Sequence, residues 1–164
     1  MPKPVPVSSS GLVSGIKSRH LQTQPNGIEL TAAEVWEFTG SGEVGLENKH
    51  RRLAGVHRLH FDPRGKLFLK PGAYRVTVNE TVRIPLDMFA LGRPRSSLLR
   101  NGVTVHTALW DSGYEGRSEV LLEVMNPHGF TLRRNARILQ LIFFRLPEGV
   151  KRRYRGVYHR ENLP

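Results

Sequence analysis

Three short segments of the sequence carry side chains whose types and spacing suit the binding of an anionic ligand. The first is PRSSLLR at 94–100, where Arg95 is followed by the hydroxyls of Ser96 and Ser97. A guanidinium and two hydroxyls within one turn supply charged and neutral donors to a cluster of phosphate oxygens. Taken alone, this segment is more often a surface turn.

The second segment is WDSGYEG at 110–116, in which a carboxylate lies beside a tight bend. Gly113 and Gly116 permit the bend, and Asp111 at a strand end can orient water or a hydroxyl. Tyr114 offers a flat apolar face for a sugar or a base. The same residues also describe a β-turn with a core tyrosine, and the segment alone favours that structural role.

The third segment is RILQL at 137–141, which places Arg137 and Gln140 within an apolar strand. A buried amide must find hydrogen-bond partners, because leaving it unpaired costs about 1–3 kcal/mol. Pairing across strands and a contact with a ligand both satisfy Gln140, so this segment leaves two interpretations open.

Several other chemistries lack the residues they need. The sequence contains no cysteine, which excludes thiol nucleophiles, disulfides and cysteine-based zinc sites. His57 and His60 are spaced so that a strand would set them on opposite faces, and no zinc site is predicted. There is no Walker loop and no GxSxG motif.

The order and spacing of the three segments resemble the dUTPase/dCTP deaminase superfamily. PRSS, DSGYEG and RILQ are similar to the PRSG, IDxDYRG and RIAQ signatures of trimeric dUTPases, and Asp111 lies sixteen positions after Arg95. Upstream, QPNGIELT at 24–31 and KPG at 70–72 resemble the family's QP…DL segment and HPG turn. The similarity covers residues 22–160 and indicates the archaeal type of dUTPase.

The resemblance implies hydrolysis of dUTP to dUMP and pyrophosphate. Asp111 would orient the attacking water and the 3′-hydroxyl, and Tyr114 would lie under the deoxyribose. Gln140 would hold a phosphate oxygen or another polar group of the nucleotide. Three neighbouring residues would contact the phosphate chain, the second of them near the scissile linkage: Arg95, Ser96 and Ser97.

The family also implies a cofactor and an assembly. Its reaction needs Mg²⁺ bound mainly by the triphosphate, so few protein ligands to the metal are expected. Its active sites form between the subunits of a homotrimer, which predicts self-association of this chain.

Deamination of dCTP is the alternative within the superfamily, alone or together with dUTP hydrolysis. Family deaminases use no zinc; a glutamate near the base shuttles protons, assisted by an RSSLxR motif that Arg100 completes here. That glutamate lies ten residues after the aspartate, at the position of Leu121. Glu123 faces the same side of a strand about 6.6 Å further along. Base selection therefore stays open.

The C-terminal segment RRYRGVY at 152–158 differs from the glycine-rich lid of ordinary dUTPases. It is similar to the YxGKY tail of dCTP deaminases and archaeal dUTPases. Such a tail would close over the nucleotide, with Tyr154 or Tyr158 near the base and arginines near phosphate. Residues 149–164 are therefore predicted to form an active-site lid.

A strongly basic composition favours polyanionic partners. The formal net charge is +11, and residues 133–160 hold nine basic side chains against one acid. A basic β domain that binds nucleic acid is the alternative from another class. Binding of single strands usually needs several aromatic side chains among the basic ones, and the tail offers only Tyr154 and Tyr158.

The elements that must position these residues are predicted to be strands. Short apolar or alternating runs recur between Gly/Pro turns, which is typical of an all-β jelly roll or barrel. Residues 11–19 are predicted as one short helix, weakened by Gly15. Residues 1–10 are rich in Pro and Ser and are expected to be flexible, which leaves 11–148 as the domain.

No segment predicts a membrane location. The longest apolar run, 138–144, is too short to span a bilayer, and residues 1–6 lack the apolar stretch of a secretory signal. A cytoplasmic enzyme is the expectation.

Overall fold

Strands form where apolar side chains alternate with polar ones. A computed structural model describes residues 3–4 and 11–163, and nearly all regular structure within them is β. The strands are β1 (Lys3–Pro4), β2 (Val13–Ser14), β3 (Thr23–Gln24), β4 (Gly27–Phe38), β5 (Val56–Leu59), β6 (Lys66–Leu69), β7 (Gly72–Val78), β8 (Thr81–Arg83), β9 (Met88–Pro94), β10 (Val103–His106), β11 (Glu115–Gly116), β12 (Glu119–Val124), β13 (Phe130–Arg133) and β14 (Arg137–Arg145).

The described strands pair antiparallel in three sheets. The largest runs β1-β14-β4-β7-β12-β10, with β3 and β5 also on β4 and β9 also on β14. The smaller sheets are β11-β8-β2 and β13-β6. The sheets wrap into a nearly closed barrel, so the predicted all-β fold is confirmed.

The long strand β4 joins the two halves of the large sheet. Its first part pairs with β14 and its second part with β5 and β7, and the register shifts between Ala32 and Glu34. A bulge of this kind bends a strand and lets one strand serve two neighbours. Glu29 therefore lies in the part of β4 that pairs with β14, and Trp36 lies in the part that pairs with β5 and β7.

The period-two pattern of each strand decides which side chains enter the core. In β12, Val120, Leu122 and Val124 are buried, while Glu119 and Glu123 lie on the outer face. Removing such apolar surface from water is the main stabilising term of the barrel. The outer face of β12 is therefore free to carry polar side chains toward a ligand.

The ends of the chain depart from the sequence prediction in one place. The helix predicted over 11–19 is wrong: Val13–Ser14 forms a strand against β8, and the short helix α1 spans Arg19–Gln22. Gly11 and Gly15 have positive φ angles, which break a helix. The flexible segment predicted at 1–10 lies outside the described residues, apart from β1 on β14.

Two further short helices connect strands. A 3₁₀ helix spans Asn48–His50 in the connection from β4 to β5, and α2 spans Ser96–Leu99 directly after β9. In the described part of the chain, no helix is long and apolar enough to cross a membrane.

Candidate active site

A cavity of about 410 Å³ lies beside the segment 110–116. Asp111 and Tyr114 both line it, so the structure brings together the carboxylate and the aromatic ring that the sequence singled out. The remaining lining residues come from the sheet, from the loops after β4 and β10, and from the C-terminal tail: Phe38, Leu53, Ala54, Arg75, Ala108, Leu109, Trp110, Ser118, Glu119, Tyr154, Tyr158 and Glu161.

A chain of hydrogen bonds runs through the wall of this cavity. Trp110 Nε1 donates to Ser118 Oγ at 2.7 Å, and Ser118 Oγ lies 2.9 Å from the hydroxyl of Tyr114. The Tyr114 hydroxyl donates to Glu161 Oε1 at 2.7 Å. We call these four side chains the Trp110–Glu161 relay.

The direction of the relay follows from the number of protons available. An indole nitrogen only donates, and each hydroxyl has one proton. Because Tyr114 gives its proton to Glu161, Ser118 must donate to Tyr114. Burial raises the pKa of the Tyr114 hydroxyl well above its ordinary value, so Tyr114 remains a donor at physiological pH. Hydrogen bonds aligned in one direction strengthen each other.

The C-terminal tail, residues 149–163, packs against segment 110–117 through its backbone. Tyr154 N donates to Ser112 O at 2.8 Å, Arg160 N donates to Glu115 O at 2.6 Å, and Arg117 N donates to Glu161 O at 3.0 Å. Gly113 has a φ of +86°, and a Cβ there would come within 2.6 Å of the Arg153 Cβ. Glycine at 113 is therefore needed both for the bend and for the docked tail.

The tail brings Glu161 into a partly buried, negatively charged surrounding. Burial raises the pKa of its carboxyl, the hydrogen bond from Tyr114 lowers it, and the nearby charge of Glu119 raises it again. Gly116 makes the approach possible, because a Cβ there would meet the Tyr114 hydroxyl at 2.9 Å. Docking of the tail thus places a carboxyl group with a raised pKa in the cavity wall.

A second cavity, of about 470 Å³, is basic. Arg95, Ser97 and Arg137 line it. Glu29 is buried behind them and accepts from Arg95 Nε at 2.6 Å and from Arg137 Nη1 at 2.9 Å. One glutamate therefore holds two guanidinium groups whose remaining N–H groups are available for an anion.

The comparisons with known proteins agree with this geometry. The dCTP deaminase-like family matches residues 11–146. The chain belongs to the dCTP deaminase-like family. The superfamily resemblance of the sequence is therefore confirmed.

Archaeal relatives span most of this dCTP deaminase-like chain. A probable deoxyuridine 5′-triphosphate nucleotidohydrolase of Methanosarcina mazei is 48% identical over 141 residues, which cover 86% of this chain and 82% of the relative. A protein of Archaeoglobus fulgidus with the same name is 43% identical over 157 residues, covering 96% and 92%.

A solved structure shares the fold. The 2′-deoxycytidine 5′-triphosphate deaminase of Agrobacterium tumefaciens superposes with a TM-score of 0.62 at 20% identity, over 82% of this chain and 44% of that one. The similarity confirms the predicted jelly-roll type of the dCTP deaminase-like domain.

The remaining predicted residues of this dCTP deaminase-like chain line neither cavity. Ser96 begins α2, Arg100 caps its C-terminal end, and Gln140 is half-buried on β14 opposite Glu29 and Arg93. Glu123 lies on β12 and contacts His106 Nε2 at 3.0 Å. Of the predicted residues, the structure thus places Arg95 and Ser97 at one cavity and Asp111, Tyr114, Tyr154 and Tyr158 at the other.

Sequence reasoning missed several residues of the two cavities of this dCTP deaminase-like chain. Glu29 was detectable, because a charged side chain within the apolar run GIEL must find a buried partner. Glu119 and Arg75 look like ordinary outward-facing residues of alternating strands. No sequence pattern distinguishes Ser118 and Glu161, because their contacts depend on how the C-terminal tail folds back onto the barrel.

Proposed function

We propose that the chain hydrolyses dUTP to dUMP and pyrophosphate. The observation that carries the proposal is that Asp111 and Tyr114 line one cavity in a chain whose archaeal relatives are named as deoxyuridine triphosphate nucleotidohydrolases. The carboxylate of Asp111 would orient the attacking water, and Tyr114 would support the deoxyribose. General-base assistance of this kind contributes about 10²–10⁴-fold to a rate.

The phosphate chain would be bound by the basic cavity of a neighbouring subunit. Arg95 and Ser97 line a different cavity from Asp111, which supports a site assembled from two copies of the chain. We call the cavity that Asp111 and Tyr114 line the nucleoside cavity. In a homotrimer, each basic cavity would face the nucleoside cavity of the next subunit. Ser96 and Gln140 would complete the phosphate contacts after assembly.

Magnesium would be held by the substrate. In the described part of the chain, no three His, Asp or Glu side chains cluster as metal ligands. We propose, as the family resemblance implies, that the oxygens of the triphosphate bind the ion. Such an ion would neutralise charge on the phosphates during their displacement. The side chains of this protein would bind, orient and shield the substrate.

The tail would act as a lid over the bound nucleotide. Tyr154 and Tyr158 line the nucleoside cavity, and Arg153 lies against Gly113. A closed tail would exclude water other than the attacking molecule and bring basic charge toward the phosphates. The tail aromatics are engaged with the cavity, which favours the lid over a surface for nucleic acid.

The experiment that tests the proposal follows the two products of each nucleotide. The purified protein is incubated with dUTP or dCTP and Mg²⁺, and pyrophosphate and ammonia are measured separately. Pyrophosphate from dUTP without ammonia from dCTP is expected. Ammonia from dCTP would instead support the deaminase alternative, for which Glu123 and Arg100 are the candidates; in the structure Glu119, not Glu123, lines the cavity.

Mixed assemblies test whether two subunits share one site. Asp111→Asn and Arg95→Gln are each expected to be inactive. Trimers re-formed from a mixture of the two variants should recover activity, because some sites then contain an intact Asp111 and an intact Arg95. No recovery after verified subunit exchange would place both groups in one subunit.

A further inference from the structure

Arg75 and Glu119 lie side by side in the wall of the nucleoside cavity. They stand on adjacent strands, where Thr77 faces Glu119 and Arg75 faces Leu121, so the two side chains are diagonal neighbours on the outer face of the sheet. Arg75 Nη1 lies 3.3 Å from Glu119 Oε2. Both residues share the cavity with Asp111 and Tyr114.

The hydrogen-bonding capacity of this pair is largely unused. Contacts between a guanidinium and a carboxylate usually measure about 2.7–2.9 Å. Glu119 has instead long contacts, to Arg75 at 3.3 Å and from the hydroxyl of Thr77 at 3.4 Å. The Nε of Arg75 is buried and has no hydrogen-bond partner among the described residues. The buried Nε cannot reach a ligand, but among the described residues the two Nη groups have only the long contact to Glu119, so donors and an acceptor remain next to each other.

The sheet contains a matched pair that is satisfied. Arg58 and Arg75 flank the ring of Trp36, with their guanidinium carbons 5.7 and 5.3 Å from its centroid. Arg58 makes a tighter ion pair with Glu34, at 2.9 Å, and neither Arg58 nor Glu34 lines the cavity. The loose geometry is therefore specific to the pair that faces the cavity.

The charge of the cavity indicates which part of a nucleotide meets Glu119. Asp111, Glu119 and Glu161 place three carboxyl groups around one space. Arg75 is the single basic side chain of the lining, so the carboxyl groups outnumber it, and the cavity disfavours a triphosphate and accepts a neutral group with N–H donors. The part of the cavity next to Glu119 therefore suits the base rather than the phosphates.

We propose that Arg75 and Glu119 read the edge of the base and select uracil over cytosine. The N3–H of uracil would donate to Glu119, and Arg75 would donate to the adjacent carbonyl oxygen. Cytosine presents a lone pair at N3 and an amine in place of the 4-carbonyl, so the same two groups would oppose it. The inference rests on the proposed function, because it takes this cavity as the nucleoside site.

Glu119→Gln tests the reading of N3, with Glu34→Gln as its matched control. The amide can donate to N3 of cytosine, so the preference for uracil should fall by about tenfold or more. The measured quantity is the ratio of the inhibition constants of dCMP and dUMP. A Glu119→Gln ratio within about twofold of the wild-type ratio would overturn the inference, as would an equal change in Glu34→Gln.

Arg75→Lys and its control Arg58→Lys test the second contact. A lysine keeps the positive charge near Trp36 but loses the planar fork of donors. Arg75→Lys should weaken dUMP about tenfold while dCMP changes little, and Arg58→Lys should leave both constants unchanged. Equal weakening of dUMP and dCMP in Arg75→Lys would reduce the pair to a structural role and overturn the inference.

A substrate analogue gives a measurement that needs no variant. The wild-type protein should bind N3-methyl-dUMP at least about tenfold more weakly than dUMP, and tight binding of the analogue would overturn the inference. Release of pyrophosphate from dUTP tests the proposed function separately. If the wild-type protein releases pyrophosphate from dUTP but Glu119→Gln leaves the base preference unchanged, only the base-reading role is rejected.

Discussion

The two cavities are each organised by a glutamate, but in opposite ways. Glu29 is part of β4, and it holds Arg95 and Arg137 as soon as the barrel has folded. Glu161 belongs to the tail, and it reaches Tyr114 only when residues 149–163 are docked. The proposed phosphate side is therefore preorganised, whereas the proposed nucleoside side is completed by a segment that a few backbone hydrogen bonds hold.

The difference matches what each side has to do. A preorganised guanidinium pair binds phosphate oxygens without first reorienting its charges. A nucleoside cavity must open for entry and close for the reaction, and segments that move come from the least stable parts of a protein. Changes to the tail should therefore affect turnover, and changes to the Glu29 cluster should affect stability.

Truncation after Glu148 breaks the nucleoside side completely. It removes Glu161, Tyr154 and Tyr158, so turnover should fall at least about a hundredfold. The barrel should stay folded, because its core residues precede the cut. Pyrophosphate release and the melting temperature are the measurements. Full activity in the truncated protein would reject the lid.

Glu29→Ala breaks the phosphate side. Two guanidinium groups lose their shared carboxylate, and removing one partner of a buried ion pair costs about 3 kcal/mol. Because Arg95 and Arg137 are partly exposed, about 2 kcal/mol is the expected loss in the free energy of unfolding, measured by urea denaturation.

The control for this variant is Glu47→Ala, which removes an exposed pair with Lys49. It should leave stability unchanged. If the two variants lose the same amount, the Glu29 cluster has no special role in organising the phosphate side.

Ser118→Ala interrupts the Trp110–Glu161 relay in its middle. The loss of a buried hydrogen-bond partner costs about 1–3 kcal/mol, because Trp110 Nε1 and Tyr114 are left without their acceptor and donor. We expect about a tenfold loss in kcat/KM, with most of it in KM because the cavity wall is displaced. Steady-state kinetics with dUTP provide both parameters.

A double-mutant cycle separates the relay from simple loss of stability. Ser118→Ala and Glu161→Gln should be non-additive, because both act through Tyr114. Ser112→Ala removes another buried hydrogen bond, from its hydroxyl to Met88 O at 2.6 Å, and lies outside the relay. Its effect should add to that of Glu161→Gln; the same coupling in both cycles would contradict the relay.

The pH dependence of tail docking is the smallest expected effect. The pKa of Glu161 is raised in the docked state, chiefly by burial, so protonation favours docking. This stabilisation is complete below the ordinary pKa of a glutamate and is lost as the pH rises through the raised value. Hydrogen exchange of residues 149–163 should therefore speed up toward neutral pH, beyond the intrinsic increase in exchange rate.

Glu161→Gln is the control for that effect. The amide has no charge to lose, so its docking should not vary with pH, although it still accepts from Tyr114. A pH profile identical to that of the wild-type protein would assign the effect to another group.

The sequence predicted the all-β fold, because strand patterns are local, whereas the chemistry of segments 94–100 and 110–116 stays a prediction. Short apolar or alternating runs between Gly/Pro turns indicated the strands, and the order of motifs indicated the family. The predicted helix at 11–19 failed because Gly11 and Gly15 take positive φ angles. The spacing of apolar residues does not show where the tertiary fold imposes such backbone angles on a segment.

Several residues of the cavity walls were not predicted from the sequence, for a different reason. Arg75 and Glu119 meet through strand register, and Ser118 meets Glu161 through a tail that returns across 43 residues of sequence. Contacts of this kind depend on the complete fold, so single motifs do not predict them. The separation of Arg95 from Asp111 likewise became visible only with the barrel.

The two tryptophans of the chain can serve as intrinsic fluorescent probes of the two events. Trp110 is buried and hydrogen-bonded to Ser118, whereas Trp36 is flanked by Arg58 and Arg75. Since there are no others, replacing one leaves a single emitter. Fluorescence from Trp110 would follow the closing of the tail in real time, and fluorescence from Trp36 would follow the arrival of the base.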